Sequence, residues 1–279
     1  REKKRKTKEK RVLEGYRYKL IENSEVYGGV RYDVATDGSS KTSKGEQLDL
    51  DNEQKQSIRG GFKYLPNTLV EMRQINSILK AKENNDTISG AAATESSFKA
   101  LSGKSIDVLH VATHGFYVPK RRKSLLSKVT KNAFNSIEDQ SLSRSGLLMA
   151  GAQTTLDNPN TAGEDGILTA KEIARMDLGQ VELVTLSACE TGLGDVTGEG
   201  VFGLQRGFKK AGVKTILMSL WKVDDEATQI LMSQFYKDLI AGKSKVEALR
   251  EAQQFVRNTD NKKFDEPRFW AAFILLDAL

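Results

Sequence analysis

Three short, mainly apolar runs place the tightest limit on how this chain can fold. They are Ile106 to Ala112, Val181 to Leu186 and Val213 to Leu220. A strand with one wet face alternates apolar and polar residues. A strand buried on both faces of a parallel sheet reads as an almost continuous apolar run. Each run is too short for an ordinary helix, and helical patterns lie between them. This alternation implies an α/β fold: a mostly parallel central sheet with helices on both faces. Ligands of such sheets bind beyond the carboxyl ends of the strands. The first two runs lead there into a reactive side chain and glycine. His114-Gly115 follows one, and Cys189 with the turn Thr191-Gly192-Leu193-Gly194 follows the other.

The rest of the chain fits this scheme. Val26 to Val34 reads as a first strand, followed by a polar loop from Asp37 to Gln56. Thr68-Leu69-Val70-Glu71 has the form of a capping box, with Met72, Ile75 and Leu79 at helical spacing behind it. Thr94 opens a short helix through Leu101, and Thr169-Ala170-Lys171-Glu172 is a second capping box. Gly146 to Ala150 reads as a strand. Gly200 to Ala211 reads as a helix ending at Gly212. Further helices are predicted from about Glu226 to Gly242 and over Lys245 to Arg257, and Phe269 to Leu276 closes the chain. The long polar stretch Phe116 to Ser145 is expected to be an irregular surface loop that gates the site. Within it, Lys120-Arg121-Arg122-Lys123 is a candidate for self-cleavage.

Charge separates the chain into two parts. Residues 1–11 carry eight Lys or Arg and two Glu, which accounts for the whole formal charge of +6. The remaining body is balanced and gives no reason to expect nucleic acid as its partner. Residues 1–17 read as a basic segment, the end of a missing upstream region, before one domain over 18–279. The chain starts with Arg1, which reads as a fragment or a processed form. No apolar run approaches the roughly 20 residues of a membrane helix, and no signal-peptide pattern is present. A single cysteine excludes an internal disulfide and suits a reducing cytoplasm.

Cys plus His is the smallest constellation for thiol catalysis. Cys189 would be the nucleophile and His114 the general acid/base. The amides of Gly115 and Cys189 are candidate oxyanion donors. A buried structural cysteine and a turn histidine are the competing readings. His110 reads as a strand histidine with a hydrogen-bonded core role. Two His and one Cys do not make an adequate catalytic zinc set, so no metal or cofactor is expected and activity should survive chelators. Calcium could still bind the acidic loop Asp195 to Glu199. The glycine-rich run Gly192 to Gly203 lacks the Gly-Lys-Ser/Thr ending of a phosphate loop, and reads as a turn that shapes the site.

The stretches LSACETGLGDVTGEGVFGLQRGFKKAGVKTILMSLWKVDDEAT and DVLHVATHGFY closely resemble the CHAT domain family. These are caspase-like cysteine peptidases often found behind tetratricopeptide repeats, in the broad clan of caspases and separase. YGGVRYD, YLPNTLVEMRQI, AATESSFKALS, DGILTAKEIA and FWAAFILLD look like further segments of the family in the expected order. The likeness runs from about residue 18 to the end. It implies a caspase-like fold, with His114 and Cys189 at the catalytic positions, a protein or peptide substrate, and control by an upstream repeat or sensor region. A bacterial defence role is a further implication.

Trp221-Lys222-Val223-Asp224-Asp225 admits two readings. Asp224 or Asp225 caps the following helix. Alternatively, one carboxylate lines the pocket for the residue before the scissile bond, with Trp221 beside it. The segment resembles a separase stretch that recognises arginine, and a guanidinium is a natural carboxylate partner. The expected function is a cysteine endopeptidase that cleaves a protein partner after a basic residue. The alternative is a catalytically silent or conditionally active interaction module.

Overall fold

The computed structural model describes residues 21–34, 62–79, 84–117, 142–157, 164–187, 194–197, 200–259 and 263–277. Its centre is a six-stranded sheet. In spatial order the strands are β11 (Phe273–Asp277), β10 (Thr215–Ser219), β7 (Leu183–Leu186), β3 (Val108–Val111), β1 (Asn23–Val30) and β2 (Asn84–Gly90). All neighbours pair in parallel except β10 and β11. This is the caspase-like α/β arrangement, and the three apolar runs form three of its four inner strands, β3, β7 and β10.

Neighbouring residues along each inner strand bury on opposite faces, as the two-residue period requires. Tyr27, Leu109, Val184 and Ile216 enter one core with Phe98 and Phe208. Val26, Val108, Leu183 and Leu217 enter the other with Met72, Ile75, Phe235 and Tyr236. The second core is covered by α1 (Pro66–Leu79), α6 (Asp225–Ile240) and α7 (Lys245–Arg257). The first is covered by α2 (Glu95–Lys99), α4 (Ala170–Ile173) and α5 (Leu204–Lys210). Two short helices, α3 (Ala152–Asp157) and α8 (Pro267–Trp270), complete the described helices. Burying one large apolar side chain contributes roughly 1.5–3 kcal/mol. The double-sided core therefore makes the sheet a rigid base for whatever stands at its rim.

The Thr169 capping box forms as predicted: Thr169 accepts from the Glu172 amide, and Glu172 accepts from the Thr169 amide. The box predicted at Thr68 does not form. Helix α1 begins two residues earlier, at Pro66, whose fixed φ and missing N–H suit a first turn. The Thr68 hydroxyl donates to the Leu65 carbonyl at 2.7 Å and accepts from the Gly29 amide at 3.0 Å, tying α1 to the irregular end of β1. Gly28 permits the approach, since a Cβ there would lie 2.5 Å from the Thr68 carbonyl oxygen. Glu71, freed from capping, is buried against β3.

Two other expectations are corrected. Gly200 to Gly203 is not helical. It is strand β9, paired antiparallel with β8 (Gly194–Thr197), and the helix starts only at Leu204. Glycines weaken a helix and tolerate a hairpin. The ends of the predicted irregular stretch are also ordered. β4 (Gly115–Tyr117) pairs antiparallel with β5 (Ser145–Leu148), which pairs with β6 (Ile167–Thr169). The basic segment 1–17, the loop Asp37 to Gln56 and Lys120 to Lys123 lie outside the described residues. Strand β2 has no counterpart in the sequence reading, because its sequence NNDTISG is too polar to declare a strand.

Candidate functional site

The site is built at the carboxyl ends of β3 and β7. β3 remains in register until Ala112, whose amide donates to the Tyr27 carbonyl on β1. Thr113 then anchors the exit. Its hydroxyl donates to the Leu148 carbonyl and shares a 3.0 Å hydrogen bond with the Tyr32 hydroxyl. Burial pushes the Tyr32 phenol up to about 12, so it stays neutral. His114 comes next and is partly exposed.

Three groups set the His114 ring. The rings of Tyr32 and Phe62 lie 5.2 Å and 5.7 Å from it, centroid to centroid. Its Nε2 lies 2.9 Å from the Lys63 carbonyl oxygen. A carbonyl can only accept, so Nε2 carries the proton in the neutral ring and Nδ1 presents its lone pair. Lys63, Phe62 and Tyr32 were not found from the sequence. YLPN marks this region only as a helix entry, and a main-chain acceptor leaves no residue-type signature.

Gly115 opens β4. The Leu148 amide donates to the His114 carbonyl at 2.9 Å. Gly115 and Leu147 therefore face each other as a pair that does not exchange ladder hydrogen bonds, and the Gly115 amide points away from β5.

On the β7 side, the Ser187 amide continues the ladder to the Val111 carbonyl at 2.9 Å. Cys189 lies outside the described residues, two positions further on.

The Trp221 segment sits at the end of β10. Trp221 is exposed, and its indole donates to the Arg268 carbonyl at 3.1 Å. Asp224 is the N-cap of α6 and accepts from the Ala227 amide at 3.0 Å. Asp225 is the first residue of the helix. Both carboxylates are exposed, so neither forms an enclosed acidic pocket in this state.

His110 is fully buried. Its Nδ1 lies 3.2 Å from the Tyr236 hydroxyl, which donates to Thr185 at 2.8 Å. Its Nε2 lies 3.2 Å from Glu71 Oε1, but off line for a hydrogen bond. Burial drives the Tyr236 phenol well above its usual range. This network ties α1, β3, β7 and α6 together beneath the site. The core role predicted for His110 is what the structure shows.

A caspase-like sheet with a histidine at the exit of β3 defines a class of protein, and the comparison with known families agrees. Residues 18–278 match the CHAT domain, and the chain belongs to that family. It is also similar to human tetratricopeptide repeat protein 28, with 36% identity over 110 residues. The mouse protein of the same name is 34% identical over 110 residues. Each match covers 39% of this chain and 4% of the relative, so the chain matches only a small part of their length. Among the described residues no helix is long and apolar enough to cross a membrane.

Proposed function

We propose that this chain is a cysteine endopeptidase in which Cys189 attacks and His114 manages the protons. One observation carries the reading. Every β3–β7 partner pair has the same offset: Val108 with Leu183, Leu109 with Val184, His110 with Thr185 and Val111 with Leu186. Each pair is separated by 75 residues, and so are His114 and Cys189. Adjacent strands lie about 4.8 Å apart, within reach of two facing side chains.

In this mechanism Nδ1 of His114 takes the thiol proton while the Lys63 carbonyl holds Nε2–H. The thiolate attacks the peptide carbonyl carbon. The oxyanion is received by the amides of Gly115 and Cys189, of which the first already points out of its ladder. His114 then returns the proton to the departing amine as the C–N bond breaks, leaving a thioester. Water, deprotonated by His114, hydrolyses the thioester and restores the thiol.

The preferred substrate is a protein cleaved after a basic residue. Exposed Asp225 would meet the guanidinium or ammonium group at the pocket rim, and Trp221 would supply a wall. Both relatives are named for tetratricopeptide repeats, which supports control by an upstream repeat region. The test is labelling with a thiol-reactive peptide probe. The wild-type protein should label, Cys189→Ala should not, and His114→Ala should label far more slowly. Equal labelling rates of the wild-type protein and His114→Ala would end the proposal.

A further inference from the structure

A cavity of about 520 Å³ opens beside His114, on the side away from β7. It lies among the ends of β1 and β2 and the outer face of α1. Arg31, Tyr32, Asp33, Phe62, Tyr64 and Arg73 define its walls. Tyr32 and Phe62 are also the two rings that flank His114, so the cavity and the histidine share an aromatic wall. The volume lies within the usual range for a ligand pocket.

We infer that this cavity is the subsite for the leaving half of the substrate, and that it selects an acidic side chain one to three residues after the scissile bond. The inference rests on the peptidase reading. His114 must deliver its proton to the departing amine, so that amine lies on the His114 side of the attacking sulfur. In the sheet order β7, β3, β1, β2, the chain that follows the amine can run on over the ends of β1 and β2. Those strands lie about one and two strand spacings beyond β3, roughly 5–10 Å. An extended peptide advances about 3.3 Å per residue, so the first three residues after the cut span the cavity.

Charge sets the preference. Arg31 is engaged by Asp33 at 3.3–3.4 Å, a pair with both side chains exposed. Arg73 also lines the cavity, is exposed, and has no ion-pair partner among the described residues. Two guanidinium groups against one carboxylate leave the walls cationic. A Glu or Asp would complete Arg73 through a charge-assisted pair, whereas a Lys would face both arginines.

The experiment uses peptide pools randomised before the scissile bond and carrying Glu, Ala or Lys at each of the three positions after it. Cut products are read by mass spectrometry. The wild-type protein should favour Glu over Lys on the order of twofold to fivefold at one of these positions, the range for an exposed charge pair. Arg73→Glu should reverse that ratio. The ratio is internal to each protein, so a general loss of rate does not affect it. A pool of coumarin amides, which have no residues after the cut, separates the two ideas. Cleavage of the coumarin pool with equal rates for Glu, Ala and Lys overturns the subsite and leaves the peptidase standing. So does enrichment of an apolar residue, or an unchanged ratio in Arg73→Glu. Failure to cleave any pool overturns the peptidase reading and the subsite with it.

Discussion

The two histidines are four residues apart on one stretch of chain, yet they occupy opposite environments. His110 is inside the sheet, fully buried, with Tyr236 on one ring nitrogen and Glu71 near the other. His114 stands just past the exit of β3, partly exposed, with Nε2 on a main-chain carbonyl and rings on two sides. Within the sheet, neighbouring strands and the covering helices enclose a side chain, so a polar group there must find internal partners. At the rim the ladder ends and one nitrogen remains available. Catalytic potential follows from height along the strand rather than from residue type.

The strongest way to break this contrast is to remove each imidazole in turn. Cys189→Ala should abolish cleavage. His114→Ala should lower kcat by at least about 10²-fold with little change in unfolding midpoint. His110→Ala should do the reverse. It opens a cavity in the core, removes the ring beside Glu71 and takes one of the two partners of the Tyr236 hydroxyl, and should cost roughly 2–4 kcal/mol in urea unfolding, while the folded fraction cleaves within a few-fold of wild type. A fully folded His110→Ala protein that no longer cleaves would erase the distinction.

Glu95 extends the comparison to a buried carboxylate. It is 1% exposed, accepts from the Gly166 amide at 2.6 Å and meets Lys99 at 2.7 Å. Burial, with Asp165 nearby, pushes its carboxyl up to about 8 from an ordinary 4.5. An acid raised in the folded state contributes its stability fully below the unfolded value and loses it as pH climbs through the folded one. Unfolding free energy should therefore fall by on the order of 1–3 kcal/mol between pH 5 and pH 8. Lys99 stays charged throughout, its own proton held more tightly by Glu95 and Glu172. Glu95→Gln should flatten that slope. An identical slope in the variant would show that Glu95 is ionised throughout.

The smallest expected effects separate the two adjacent aspartates at the α6 start. Asp224→Ala removes an observed cap and should cost about 1 kcal/mol, with the substrate ranking unchanged. Asp225→Ala should cost less than about 0.5 kcal/mol and selectively slow cleavage after Arg and Lys. A wild-type preference for an apolar residue before the cut would dismiss the basic-residue specificity and leave His114 and Cys189 untouched.

The sequence by itself determined the inner strands, because a strand buried on both faces has no freedom to be polar. It also determined the caps at Thr94 and Thr169, where a short polar side chain acts on amides two or three residues away, and narrowed the cap of α6 to Asp224 or Asp225. Local chemistry of that kind is written locally. It placed His114 at a strand exit and proposed Cys189 as its partner. Only the tertiary structure decided what His114 touches, since the Lys63 carbonyl, Phe62 and Tyr32 arrive from segments distant in the chain, and a carbonyl is common to every residue. It also decided that Thr68 secures β1 instead of capping α1, that Gly200 to Gly203 pairs as a strand, and that polar β2 joins the sheet edge. Each of these depends on a partner far away in sequence, and no local pattern encodes such a partner.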